Sequence, residues 1–308
     1  MGSKYLLTAQ ELASISGANL SKIKNYFGFE NQKNPKLSSA QVHEFMKKSG
    51  FKYTCRSLAF INLKGGVGKT TAAITLASRA VQFGFKTCIL DLDAQGSATL
   101  ALDYTLEEDD QIFHNIWQTP KEINNALIEM EENFFLLPSD LENSLLDVSL
   151  NNPASQKKAV KGIINELKNL KFDLILIDCP PSLGAAVISS ICAVDEIIIP
   201  VANDAFSFKG IELTIEEVGE IRSTFGLSRS KTKILSNMVD KRLNLAKEYE
   251  QKLKKKFGKY LMPCCIRTSS DFSKALEKRE TVFANNRKSN GKMDYDLVAR
   301  TIFGLGKK

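Results

Sequence analysis

Histidine is nearly absent: only His43 and His114 occur in 308 residues. Catalysis or metal ligation built on histidine is therefore not expected. Six cysteines are scattered through the chain and none forms a C-x-x-C pair. That argues against zinc and iron–sulfur sites and for a reducing cytosol. Long hydrophobic runs are missing too. No stretch of about 18 apolar residues occurs, so no membrane-spanning helix is expected. The start, Met1-Gly2-Ser3-Lys4, lacks the apolar segment of a secretory signal. What remains is ordinary: 43% hydrophobic and 25% charged residues exclude a disordered chain and leave room for two domains.

The charge is unevenly placed. Residues 1–56 hold nine Lys and Arg against Glu11, Glu30 and Glu44, a balance of +6 in a chain whose net charge is +7. A small basic module joined to a nearly neutral body suggests a polyanionic partner; lysines that only keep a helical unit soluble would look the same. Within the module, Thr8 to Ser16 reads as a helix with Thr8 as N-cap and Glu11 three residues on. Gly17 breaks it, and Asn19 to Phe27 reads as a second helix. The proportions are those of a helix-turn-helix, with Ala13 allowing close approach and Ile23 locking the pair. Ser21, Lys22, Lys24 and Asn25 would be exposed on the second helix, suitable for phosphates and base edges. A dimerisation unit is the alternative. A third helix starts at Ser38 or Ser39, residues 28–37 suit a turn or small wing, and residues 50–56 read as a linker. The expected organisation is a helical domain over 1–56 and an α/β domain over 57–308.

From Ser57 the pattern changes. Leu58 to Leu63 has strand length and apolar character. Lys64-Gly65-Gly66-Val67-Gly68-Lys69-Thr70-Thr71 follows, then an apolar helix to Phe83. Strand, glycine-rich loop and helix form the layout a phosphate loop needs. Lys69 would reach the β- and γ-phosphates and the Thr70 hydroxyl would ligate Mg2+. A strict G-x-x-x-x-G-K-[ST] places a glycine at position 63, where Leu63 stands, so the loop is a variant that Lys64 and Gly65 open. Two further buried strands end in carboxylates: Thr87 to Asp91, running on to Asp93, and Phe172 to Ile177, closed by Asp178. Asp178 would hold Mg2+ through water, or cap the next helix. Strands at Glu196 to Val201 and Thr232 to Met238, with helices between, imply a mostly parallel, doubly wound sheet.

The run K-G-G-V-G-K-T-T resembles the deviant Walker A motif of the ParA/MinD group of P-loop ATPases, and the likeness extends over about residues 57–303. Leu90-Asp91-Leu92-Asp93-Ala94-Gln95-Gly96 resembles the group's second signature, with Ala94 where proline is usual. Asp178-Cys179-Pro180-Pro181-Ser182 resembles its Walker B region. The resemblance implies slow, Mg2+-dependent ATP hydrolysis and a homodimer that sandwiches two ATP molecules. In it Lys64 crosses to the partner's phosphates, Asp93 positions the attacking water, and Asp91 supports Mg2+ and the switch. Gly65, Gly66, Val67, Gly68 and Thr71 complete the phosphate loop, while Asn237 and Pro263 flank the adenine. Among C-terminal cations, Arg242 and Arg267 match the group's non-specific DNA contacts, and Lys274 lies in the same basic cluster. The implied role is DNA partitioning with a ParB-like centromere-binding partner, on the nucleoid in the cytoplasm. Positioning of a protein cargo, or ATP-gated autorepression of transcription, would fit the same residues. Gly304 and Gly306 interrupt the C-terminal helix, so a membrane-binding tail is not expected.

Overall fold

The computed structural model describes residues 4–203, 207–228, 231–285 and 287–306. The Met1-Gly2-Ser3 start and the Lys307-Lys308 end lie outside the described residues.

The N-terminal segment runs β1 (Leu7–Thr8), α1 (Ala9–Ser16), α2 (Leu20–Phe27), β2 (Lys36–Leu37) and α3 (Ser39–Lys48). Thr8 caps α1 as its sequence predicts. Its hydroxyl accepts from the Glu11 amide, and the Glu11 side chain returns to the Thr8 amide, a reciprocal capping box. Gly17 ends the helix in the left-handed region, at φ 71°. Ile23 is fully buried, while Ser21, Lys22 and Asn25 are exposed on α2. Lys24 donates to the Gln32 carbonyl. The expected wing contains β2, which pairs antiparallel with β1.

The body is an eight-stranded sheet. Its strands are β3 (Arg56–Phe60), β4 (Thr87–Asp91), β5 (Ile128–Glu131), β6 (Phe134–Leu137), β7 (Leu174–Asp178), β8 (Glu196–Ala202), β9 (Lys231–Val239) and β10 (Leu261–Arg267). They lie in the order β10-β9-β8-β3-β7-β4-β6-β5. Every pair is parallel except β5 with β6, so the fold is α/β with a mostly parallel, doubly wound sheet. Side chains alternate between the two faces. Leu58, Phe60, Leu174 and Leu176 join one core, with α4 (Lys69–Gln82). Ala59, Ile61, Ile175 and Ile177 join the other, with α6 (Pro153–Asn169) and α7 (Ala185–Ala193). A short α5 (Ser97–Ala101) follows β4, and the chain continues through α8 (Ser207–Thr224), α9 (Asn244–Phe257), α10 (Ser270–Glu277) and α11 (Asn290–Phe303). No helix among the described residues is long and apolar enough to cross a membrane.

The stretch expected as a linker is packed rather than free. Tyr53 stacks on His43 with ring centroids 4.2 Å apart, meets Phe85 edge-on, and donates its hydroxyl to the Phe83 carbonyl. Leu12, Ile23, Val42 and Phe45 of the basic segment belong to the same core as Leu76, Ala80 and Phe83 of the body. An ion-pair cluster marks the seam. The Arg79 side chain on α4 is 4% exposed and pairs with both Glu11 and Asp296 of α11. Burial raises the Glu11 carboxyl, but the Arg79 charge and the Thr8 hydrogen bonds outweigh it and hold its pKa below the ordinary 4.5. A lowered carboxyl pKa supplies stability above the unfolded value, and that stability is lost as pH falls through the folded one. Glu11→Gln is therefore expected to cost about 1 kcal/mol at pH 7, a figure reduced for partial exposure. In urea titrations the difference from wild type should narrow as pH falls below the ordinary 4.5 and close as it passes through the lowered folded value.

Candidate nucleotide-binding site

The carboxyl ends of β3, β4 and β7 meet at one edge of the sheet, the edge where open parallel sheets bind ligands. Phe60 registers with Asp178, and Asp91 with Asp178. The chain leaves β3 at Phe60, earlier than the sequence pattern suggests. The buried Asn62 side chain turns it: its Nδ2 donates to the Pro200 carbonyl and its Oδ1 accepts from the Lys64 amide. The loop then curls back so that Gly68 adopts φ 89° and precedes α4 with no side-chain cap. The first-turn amides of α4 are thus left for an outside acceptor, with the positive end of the helix behind them. A Cβ on Gly68 would lie 2.4 Å from Asn237 Nδ2, so that position needs glycine for space as well as for φ.

Lys69, 7% exposed, folds back over the loop and donates to the Asn62 carbonyl at 3.2 Å. Burial lowers its pKa, and the nearby Asp178, Cys179 and Asp93 pull the other way. An ammonium held in this way awaits an anion. The two carboxylates at the strand ends differ sharply. Asp91 is saturated: Oδ2 accepts from the Thr99 amide and hydroxyl at 2.9 and 2.8 Å, and Oδ1 accepts from the Asp93 amide. Asp178 is fully buried and neither of its carboxylate oxygens has a hydrogen-bond partner. Burial, with Asp91 adding to it, holds its pKa well above the ordinary range, and the Thr70 hydroxyl and Lys69 ammonium offset only part of that. Burial likewise pushes Asp91 up to about 6. A buried, unpartnered carboxylate beside a threonine hydroxyl and an anion loop is the donor set a hard cation such as Mg2+ takes. The alternative role for Asp178, capping the next helix, is filled elsewhere: the Ala185 amide at the start of α7 donates to Asp147.

Asp93 lies half-buried on the turn after β4, its Oδ1 accepting from the Gln95 amide. Gly96, at φ 59°, lets that turn approach the Ser139 carbonyl, which a Cβ would meet at 2.8 Å. Residues 55–234 match the AAA domain family. The chain belongs to that family. It is an ATPase of the ParA/MinD type. It is 29% identical over 248 residues to the chromosome-partitioning ATPase Soj of Treponema pallidum, covering 80% of this chain and 96% of that one. Two solved structures share the fold. Cobyrinic acid a,c-diamide synthase from Mycobacterium smegmatis, bound to an ATP analogue and magnesium, superposes with a TM-score of 0.68 at 24% identity, covering 80% of this chain and 93% of that chain. A variant of McdA from Cyanothece, in complex with ATP, reaches 0.72 at 20% identity, covering 82% and 97%.

Further from the loop, the expected residues fare unevenly. Asn237 comes to the phosphate loop itself, donating to the Val67 carbonyl at 2.8 Å. Pro263 is exposed on the edge strand β10, two residues before Cys265, which registers with Ser236. Arg242 is 87% exposed and paired with Asp240. Arg267 is bound by Asp294 through Nε, Nη2 and its own amide, and Lys274 is exposed on α10. Sequence reasoning missed Asn62, Ser139 and Asn143. Ser139 donates to the Asp93 carbonyl and Asn143 to Ser139, bracing the turn. The signal available for Ser139 was its place just past the apolar run Phe134–Leu137.

Proposed function

We propose that this chain is a DNA-partitioning ATPase in which ATP and Mg2+ drive pairing of two copies, and the pair holds non-specific DNA until a partner stimulates hydrolysis. The observation that carries the reading is a lysine directly ahead of paired glycines, Lys64-Gly65-Gly66, in a phosphate loop that faces the unpartnered Asp178. The loop amides from Gly65 to Thr71 hold the phosphate oxygens, and Lys69 neutralises them. Thr70 and Asp178 hold Mg2+, which when bound neutralises charge on the β- and γ-phosphates. Asp93, on its braced turn, orients the water. Asp91 acts one step back, fixing the turn through Thr99 and Asp93. Lys64 reaches the partner copy's phosphates, so that nucleotide occupancy sets pairing. Asn237 and Pro263 flank the base.

Arg242, Arg267 and Lys274 give the pair its DNA contacts, by phosphate neutralisation with counterion release. DNA must compete with Asp294 for Arg267, which leaves Nη1 outside the carboxylate pair. The partner that triggers release is a ParB-like centromere-binding protein, and Lys22 and Lys24 of the N-terminal segment contact operator DNA. Soj's name as a chromosome-partitioning ATPase supports the cargo. The test is binding to a random-sequence duplex with ATP, ADP or no nucleotide. ATP is expected to tighten binding about tenfold or more, and Lys64→Ala to remove that dependence. Arg267→Ala should lower the slope of log affinity against log salt by about one. Binding indifferent to nucleotide and to both substitutions would overturn the reading.

A further inference from the structure

Away from the phosphate loop, a second cleft opens where the N-terminal segment meets α11, with a volume of about 730 Å³. Six cations line it: Lys36, Arg79, Arg287, Lys288, Lys292 and Arg300. Two carboxylates answer them. Glu11 pairs with Arg79, and Asp296 is shared between Arg79 and Arg300. No described carboxylate pairs with Lys36, Arg287, Lys288 or Lys292. These groups come from the β1–β2 region, α4, the segment before α11 and α11 itself, so the excess is assembled by the fold rather than by one run of sequence.

Like charges gathered in a concave, partly dry space repel one another, and the cost grows as water is excluded. Lys292 registers that cost. Burial first, and then the Arg79 charge, push its pKa down to about 8 against the opposing pull of Glu11 and Asp271, and its ammonium donates to the Asn285 carbonyl and side chain. Arg79 forms the floor and is 4% exposed. The outer wall is Arg287 and Lys288, both exposed. The volume falls within the range of small-molecule sites.

We propose that this cleft binds a compact polyanion, a small molecule carrying a pyrophosphate or comparable pair of phosphates, as a site separate from the phosphate loop. Shape favours this ligand over a duplex. Arg79 is already taken up by Glu11, Gln82 and Asp296, and the cations without a described carboxylate partner, Lys36, Arg287, Lys288 and Lys292, line one concave cleft rather than a long track of surface. The cleft also touches the far end of the helix that begins at the phosphate loop. Arg79 lies ten residues beyond Lys69 on α4, about 15 Å along the axis, so an anion here would bear on the Glu11–Arg79–Asp296 cluster that fastens the N-terminal segment to the body.

The test is calorimetric titration of the full chain with inorganic pyrophosphate, after the phosphate loop has been saturated with magnesium and ADP. A preceding ADP titration verifies that saturation, so failure at the loop is read separately from failure at the cleft. One additional binding event is expected, weakened tenfold or more in the double variant Arg287→Ala/Lys288→Ala, whose two sites are exposed and leave the core intact. Lys69→Ala, titrated without ADP, should retain the event. Absence of a second event in wild type, or equal affinity in the double variant, overturns the proposal. So does a double variant that loses duplex DNA binding while pyrophosphate never binds, which would make the cleft part of a nucleic-acid surface.

Discussion

Asp178→Asn should abolish Mg2+-dependent ATP hydrolysis, lowering kcat by about 100-fold or more, and at the same time raise the melting temperature of the nucleotide-free protein. The two effects share one cause. Asp178 is fully buried and both carboxylate oxygens lack partners, next to a second buried carboxylate at the registered position Asp91. Without a cation this is an expensive place for negative charge, which is why burial and Asp91 hold its pKa well above the usual range. An amide of the same shape removes the charge and keeps the packing. It also removes the anionic ligand that Mg2+ needs. Phosphate release with ATP and Mg2+ measures the first effect, and a thermal melt without nucleotide the second. Full activity in the variant would remove Asp178 from the metal site. An unchanged or lower melting temperature would mean that the carboxylate is not strained in the free protein.

Arg79→Ala should be the most damaging substitution outside the phosphate loop, costing about 3 kcal/mol and lowering the melting temperature by roughly 6–10 °C. Arg79 is buried, packs over the rings of Phe83 and Phe283, and joins Glu11 to Asp296. Truncation leaves those carboxylates without their shared cation and opens a void between α1, α4 and α11. Arg79→Lys should recover only part of the loss, because a point charge cannot bridge both carboxylates as a planar guanidinium does. Thermal melts compare the three proteins, and limited proteolysis near residues 28–37 follows loosening of the N-terminal segment. A melting temperature within 1–2 °C of wild type for Arg79→Ala, an interval worth about 0.5 kcal/mol, would contradict this account.

Much of the sheet was legible because its central strands are buried on both faces and read as apolar runs, two of them, β4 and β7, ending in aspartate. β4 matches its expected span, and β7, β8 and β9 differ from theirs by a residue or two. The edges were not legible. β5 is Ile-Glu-Met-Glu, a half-exposed antiparallel strand with little apolar signal, and β6 has only four residues. β10 carries Pro263, which reads as a strand breaker and is tolerated because β10 is an edge. The phosphate loop was plain from spacing, and so was the Thr8–Glu11 cap, since both are local. What holds the loop is not local. Asn62 reaches Pro200 across 138 positions, and Asn237 reaches Val67 across 170. No window of sequence contains such pairs. The difference between Asp91 and Asp178 was equally hidden, because it depends on Thr99 hydrogen-bonding to one carboxylate while neither oxygen of the other has a hydrogen-bond partner.

The continuity of the apolar interior across Leu12, Ile23, Phe45, Leu76 and Phe83 has a consequence for anyone cutting or grafting this molecule. The first fifty-odd residues are roofing rather than luggage. Severed after residue 55, the remainder would present a greasy wall of Ala80, Phe83 and Phe85 to solvent, and the excised piece would lose its own ceiling. The basic segment and the catalytic body share one interior, and in this chain they are expected to be expressed and engineered as one object.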